Sequence, residues 1–168
     1  MTDQLDALDR KILEILQEDV TLSLSELAEK VASSKSVCWR RVQAFLDAGI
    51  IKSRVAVLDA KKLGLGVMII AMVKLDGRVD SSLEDFVNTV QSIPEVIECH
   101  ALMGEVDVML KLIVPTIEYY EEMMWKRLAR LPGIIDLRSS ISLSRFVDTT
   151  KLPLATLEHD PRRSHTSF

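Results

Sequence analysis

Regular hydrophobic spacing begins at Leu5. Leu8, Ile12, Leu13, Ile15 and Leu16 recur at helical period, predicting a helix that ends near Glu18. Asp6 is its expected N-cap, and Asp9 sits near the positive end of the helix dipole. Ser23-Leu24-Ser25-Glu26 spells a capping box that opens a short helix over residues 24–31 and buries Leu24, Leu27, Ala28 and Val31. Ser33 and Ser34 then break and recap the chain. A third helix is expected from Lys35 to Asp47, with Gly49 as its stop.

At about 100° per residue, Cys38, Val42, Phe45 and Leu46 form the buried stripe of that third helix, while Ser36, Arg40, Gln43 and Asp47 point the opposite way. Trp39 and Arg41 fall on the flanks. Two helices joined by a tight turn, the second presenting Arg, Gln and Ser outward, match the helix-turn-helix arrangement, whose second helix fits the major groove. An ordinary solvated helix face has the same pattern, so periodicity leaves both readings open.

Beyond Gly49 the period changes. Val55 and Val57 suggest a short strand, residues 61–66 a connector, and Val67 to Leu75 a long strand dense in Val, Ile and Met, closed by Asp76-Gly77. Leu83, Phe86, Val87 and Val90 mark a helix capped at Ser81 or Ser82, and Pro94 separates it from a strand over Val96 to Met103. Gly104-Glu105 turns the chain into an alternating strand, Val106 to Val114. Pro115-Thr116 starts a helix burying Ile117, Tyr120, Met124, Leu128 and Leu131, which Pro132-Gly133 stops. Ile135, Leu137, Ile141, Leu143 and Val147 alternate along a last strand.

The order βαββαβ is the ferredoxin-like plan, a four-stranded antiparallel sheet with both helices on one face. The expected fold is therefore α+β: an N-terminal three-helix domain over residues 1–52 with the helix-turn-helix at 24–43, a strand-containing linker at 53–66, the ferredoxin-like domain at 67–152, and a mobile C-terminal tail at 153–168. The strand Val67 to Leu75 is apolar on both faces, although the side away from the helices should be polar. A second copy of the same sheet is the expected cover, giving a homodimer built sheet against sheet.

Composition changes the picture little, with 48% hydrophobic and 27% charged residues as in an ordinary globular chain. No apolar run approaches the length of a membrane span and no signal-peptide pattern opens the chain, so no membrane role and a cytoplasmic location are expected. Cys38 and Cys99 give neither a disulfide framework nor metal-ligand spacing, and no metal or cofactor site is expected. Charge matters more. The net value of −4 hides a split, because residues 1–34 carry eight acidic against three basic side chains while residues 35–54 carry five basic against one acidic. A local basic stretch is what a DNA duplex meets first.

These elements, with Leu5-Asp6, Asp9-Arg10, Ile12-Leu13, Leu27-Ala28, Ser34, Arg41-Val42, Gly49-Ile50-Ile51, Leu63-Gly64, Pro94-Glu95-Val96, Gly104 with Asp107, and Leu131-Pro132-Gly133, resemble the Lrp/AsnC family of transcriptional regulators. The resemblance spans residues 5–153. It implies a DNA-binding head and a C-terminal domain that binds a small effector, dimerises, and assembles as far as octamers. Thr21-Leu22-Ser23-Leu24, Cys38-Trp39, Val55 to Asp59 and Gly64-Leu65-Gly66 are similar to the branch containing the cysteine-detoxification regulator. Cysteine and branched-chain amino acids are thus the effector candidates.

The resemblance places the helix-turn-helix where the face analysis does. Lys35, Ser36, Arg40 and Gln43 are expected to contact bases or backbone, and Arg41 to contact phosphate, with a competing role in packing the head. Trp39 is a candidate for DNA contact or for packing on the first helix or a neighbouring chain. Family effectors bind near the turn joining the middle strands and near the last strand, which implies Met103, Gly104, Glu105, Val106 and Asp107 with Arg138, Ser139 and Ser140 opposite. There Gly104 can free backbone amides for a carboxylate, Asp107 can pair with an ammonium, and serine hydroxyls can complete the ring. Many members have an aromatic residue at the position of Val106 and Thr at that of Arg138; Arg138 could hold a carboxylate or fill the pocket.

Other functions stand beside this one. Cys99, His100 and Asp107 are the residue types of a nucleophile, base and orienter, but strand neighbours point to opposite faces, which argues against an enzyme. An amino-acid-binding module that never touches DNA, or an architectural DNA-binding protein without effector response, are the alternatives.

Overall fold

The computed structural model describes residues 5–76, 82–131 and 133–159. The chain divides into two compact units, each described by itself: residues up to 56 together with those from 147 onward, and residues 57–146.

In the first unit, α1 (Ala7–Glu18), α2 (Leu24–Lys30) and α3 (Lys35–Asp47) stand where the hydrophobic period puts them. Their starts are fixed locally. Asp6 accepts from the Asp9 amide at 2.8 Å and the Asp9 carboxylate takes the Asp6 amide at 3.0 Å, a reciprocal box in which Asp fills the place usual for Glu. Ser23 and Glu26 form the second box, and the Ser34 hydroxyl caps α3 by accepting from the Val37 amide. Between α2 and α3 the Ser33 amide reaches the Ala28 carbonyl at 2.9 Å and Ala32 takes φ +52°, the left-handed residue of a Schellman end. The core joins Ile12, Leu13, Leu27, Ala28, Val31, Cys38, Val42 and Phe45. Each large aliphatic or aromatic member contributes roughly 1.5–3 kcal/mol on burial. Leu24 is a correction: it is exposed, because it is the first helical residue of α2 and faces away from that core.

The C-terminal segment, where a mobile tail is expected from residue 153, is described as far as residue 159. Lys151 and Leu152 contact α1: the Gln17 side chain accepts from the Leu152 amide at 2.6 Å and donates to its carbonyl at 3.4 Å. Lys151 pairs with Glu18 at 2.5 Å, Leu154 packs on the head core, and Leu154–His159 form a 3-10 turn. A side-chain amide that satisfies both polar groups of one backbone residue acts as a surrogate strand edge, which holds the segment in place. Residues 160–168 lie outside the described residues.

In the second unit the order is βαββαβ: β1 (Val67–Leu75), α4 (Ser82–Gln91), β2 (Val96–Ala101), β3 (Val108–Val114), α5 (Ile117–Lys126) and β4 (Ile134–Ser142). The sheet order is β2-β3-β1-β4, antiparallel throughout. Ile69, Ala71, Val73 and Leu75 of β1 and Val108, Leu110, Leu112 and Val114 of β3 face the helices and join Phe86, Val90, Tyr120, Met123 and Leu128 in the core. The opposite face carries Met68, Ile70 and Met72 beside Ile113, Lys111 and Met109, all partly buried.

Several expected boundaries shift. Residues 102–107 form one turn, because the Leu102 amide donates to the Asp107 carbonyl and the Asp107 amide is drawn to the Val73 carbonyl; β2 and β3 are each two residues shorter for it. The strand expected at Val55 and Val57 is absent among the described residues: both side chains are exposed, and the alternation finds no partner edge among those residues. Leu143 and Val147 lie beyond the last β1 partner and are exposed, and a bulge at Lys74/Leu75 brings Ile134 inward in place of Ile135. Helix α5 ends at Lys126, Leu128–Arg130 continue as a 3-10 turn, Met123 is buried more deeply than Met124, and Ile117 is exposed. Gly77, Ser81 and Pro132, expected turn, cap and stop residues, lie outside the described residues.

Candidate DNA-recognition helix and effector site

Helix α3 presents Ser36 and Arg40 to solvent on one row, with Gln43 partly buried at its end. Lys35 is exposed at the first turn, where Ser34 and Ser36 share a hydroxyl contact of 3.1 Å. Trp39 is 54% exposed beside them and, among the described residues, is not part of the head core. Arg41 differs. Its Nη1 lies 2.8 Å from Asp9 Oδ1 and 2.8 Å from Asp6 Oδ2, so its guanidinium ties the start of α1 to the middle of α3. Partial burial works against the guanidinium charge, but the neighbouring Asp9 and Asp6 outweigh it and raise its pKa. The same contacts, led by the bond from the Asp9 amide, hold Asp6 below the usual carboxylate range. Of the two roles weighed for Arg41, packing the head is the one its contacts display.

In the second unit, Met103, Gly104 and Glu105 stand out in solvent at the tip of the 102–107 turn, and Gly104 has φ +156°, which L side chains rarely adopt. Val106 is half-buried. Asp107 Oδ2 accepts from the Leu75 amide at 2.8 Å, and Lys74 Nζ lies 3.4 Å from Oδ1. The bond from the Leu75 amide and the nearby Lys74 keep the Asp107 carboxyl below its ordinary range, although desolvation opposes them.

Strand register adds two residues that sequence reasoning missed. Lys74 pairs with Asp136 across β1 and β4, Met72 pairs with Arg138, and Arg138 Nε donates to Asp136 Oδ2 at 2.8 Å. Asp107, Lys74, Asp136 and Arg138 therefore form a quartet of alternating charge at one end of the open sheet face. The break of an otherwise apolar strand by Lys74 was the available signal. Ser140, opposite Ile70, shares that face. Ser139 does not: it lies opposite Ala71 and hydrogen-bonds the Tyr120 hydroxyl on the helix side.

Cys99 and His100 are likewise separated. Cys99 pairs with Leu110 on the helix side, where burial pushes its thiol up, while His100 pairs with Met109 and sits 3.3 Å from Glu98. Among the described residues no His, Cys, Asp and Glu cluster is arranged to hold a metal, and no helix is long and apolar enough to cross a membrane.

The Lrp/AsnC ligand binding domain family matches residues 68–152, and the winged helix-turn-helix DNA-binding family matches residues 5–52. The chain belongs to the Lrp/AsnC family. Its relatives include the glutamate uptake regulatory protein of Zymomonas mobilis, 36% identical over 92% of this chain and 93% of that protein. The DNA-binding transcriptional activator DecR of Escherichia coli is 35% identical over 89% of this chain and 99% of its own. A transcriptional regulator from Neisseria meningitidis, solved in complex with L-Met, superimposes with a TM-score of 0.88 at 36% identity, covering 92% of this chain and 99% of that one. This Lrp/AsnC chain is accordingly a transcriptional regulator with a DNA-binding head and a ligand-binding domain, and the family's work is regulation, not catalysis. Among the described residues no strand follows α3 before β1, so this Lrp/AsnC head shows no wing.

Proposed function

We propose that this Lrp/AsnC regulator binds duplex DNA through α3 and that an amino acid, bound at the 102–107 turn and β4, modulates that binding. The outward row of exposed Ser36 and Arg40 with partly buried Gln43, flanked by Lys35 and Trp39, is the observation that carries the DNA-contact assignment. Arg40 and Gln43 reach base edges, while Lys35 and the free amides at the start of α3 meet phosphate. Arg41 holds α3 at its angle through Asp9 and Asp6, and its contact with phosphate is secondary to that role.

The effector site is Met103, Gly104, Glu105, Val106 and Asp107 with Arg138 and Ser140. Its mixed charge suits a zwitterion: Asp107 for the ammonium, Arg138 for the carboxylate. Ser139 supports the site from the other face through Tyr120. Cysteine, branched-chain amino acids and methionine, the last from the complex of the Neisseria relative, are the first ligands to test. Two copies cover each other's open sheet faces through Met68, Ile70, Met72, Met109 and Ile113, and dimers assemble further, up to an octamer. The protein acts in the cytoplasm, where its DNA is.

A screen of the twenty amino acids by thermal shift tests the effector reading, since a ligand that binds only the folded chain raises its melting temperature. A shift abolished by Asp107→Ala supports it. The pairing of the four charges two by two, Lys74 with Asp107 and Arg138 with Asp136, favours a second reading, an architectural DNA-binding protein without effector response. Absence of any shift, with DNA binding intact, would establish that one instead.

A further inference from the structure

Resting on the effector site just proposed, a further assignment concerns Lys74. Asp107 is fixed from one side, because Oδ2 accepts from the Leu75 amide at 2.8 Å. The oxygen left to receive a cation is Oδ1, and the ammonium of Lys74 lies 3.4 Å from it. Lys74 thus holds the position that the ammonium of an amino acid needs. Both partners of this pair are about 40% exposed, with side-chain accessibilities of 41% and 39%, so the pair is weak enough to exchange.

We propose that Lys74 is a specificity-determining residue that selects free zwitterionic amino acids over amines. An entering amino acid displaces the Lys74 ammonium from Asp107 Oδ1 and places its own there. No covalent step is involved, and the displaced ammonium stays tethered beside the ligand by its position on β1. Strand β4 brings two charged groups to it there: Asp136, directly opposite across the β1–β4 ladder, and Arg138, which already holds Asp136 at 2.8 Å. The exchange therefore leaves Lys74 and Arg138, two cations, sharing the carboxylate of Asp136 on β4. A ligand that brings its own carboxylate with its ammonium restores the balance. A ligand that brings an ammonium alone adds a third cation and is repelled. Lys74 in this way converts an acidic seat that any amine could use into one that requires both charges of an amino acid.

The test uses the full chain and isothermal titration with each of the twenty proteinogenic L-amino acids and with the decarboxylated amine of any that binds. The quantity read is the ratio of the amine's Kd to the amino acid's Kd. In Lys74→Gln that ratio should fall roughly fivefold, the upper worth of an exposed ion pair, and Lys74→Arg should keep it near the wild-type value. Far-UV circular dichroism and melting of each variant show that it is folded, as expected of a side chain this exposed. An unchanged ratio in Lys74→Gln, with binding still abolished by Asp107→Asn, leaves the site in place and overturns the role of Lys74. Amino-acid binding that survives Asp107→Asn, or no binding to the wild type at all, overturns the site and the inference with it.

Discussion

Arg41 Nη1 donates to both carboxylate oxygens of Asp9, at 2.8 and 2.9 Å, across 32 residues of sequence. Asp9 is 6% exposed, and its carboxylate oxygens accept from Arg41 and from the Asp6 amide. Arg41→Ala leaves that carboxylate unpaired and should cost roughly 1–3 kcal/mol. Thermal denaturation should show the loss, whereas the salt dependence of DNA binding by the folded fraction should barely change. A variant that keeps its melting temperature but loses one unit of salt slope would make phosphate contact the main role of Arg41.

The clasp of the C-terminal segment on α1 predicts a stability effect remote in sequence. Leu154→Ala, which removes a partly buried side chain packed on the head core, should destabilise the head by about 1 kcal/mol. Deleting residues 151–168 should cost more, because the Gln17 and Glu18 contacts go with it. Melting curves of the two variants that superimpose on wild type would contradict the clasp.

Ala32 has φ +52° at the end of α2, a conformation in which a Cβ is strained. Ala32→Gly should therefore raise head stability by up to about 1 kcal/mol, the reverse of what glycine does inside a helix. Urea denaturation midpoints of the two proteins decide the sign.

The head should also weaken in acid. Hydrogen bonds hold Asp6, Glu18 and Glu26 below the ordinary carboxylate range, from the Asp9 amide, Lys151 and Ser23 respectively. A folded pKa below the unfolded one means that the unfolded chain takes up protons first, so this stability is complete above about pH 5 and is lost as pH falls through 4 and below. Melting temperatures measured from pH 7 down to pH 3 should fall mainly in that lower window, and less steeply in Glu18→Gln. A loss centred near pH 6 to 7 would point to histidine instead.

The head and the sheet order were legible in the sequence because their signals are local. The N-cap at Asp6, the capping box at Ser23, the stop at Gly49 and period-2 alternation through Val108 to Val114 each act within a few residues. What escaped depends on distant partners. Leu154 docks on a core more than a hundred residues earlier, and Val55 and Val57 satisfy the alternation of a strand without an edge to join. The charge quartet needed register, since Lys74 meets Asp136 only through the β1–β4 ladder. Ser139 and Ser140 are a different case. The alternation that separated Cys99 from His100 separates them as well, so placing both at one site overlooked a rule already in hand.

The DNA-contact assignment for α3 is tested most directly by fluorescence anisotropy of the full chain on operator fragments selected from genomic DNA, comparing wild type with Arg40→Ala at fixed salt. Arg40→Ala should melt like wild type, because the side chain is exposed, yet bind its selected site roughly ten- to a hundredfold more weakly and discriminate less against other sequences. Wild-type affinity and sequence preference in Arg40→Ala would remove the outward row of α3 from the interface and with it the basis for the proposed mode of DNA recognition.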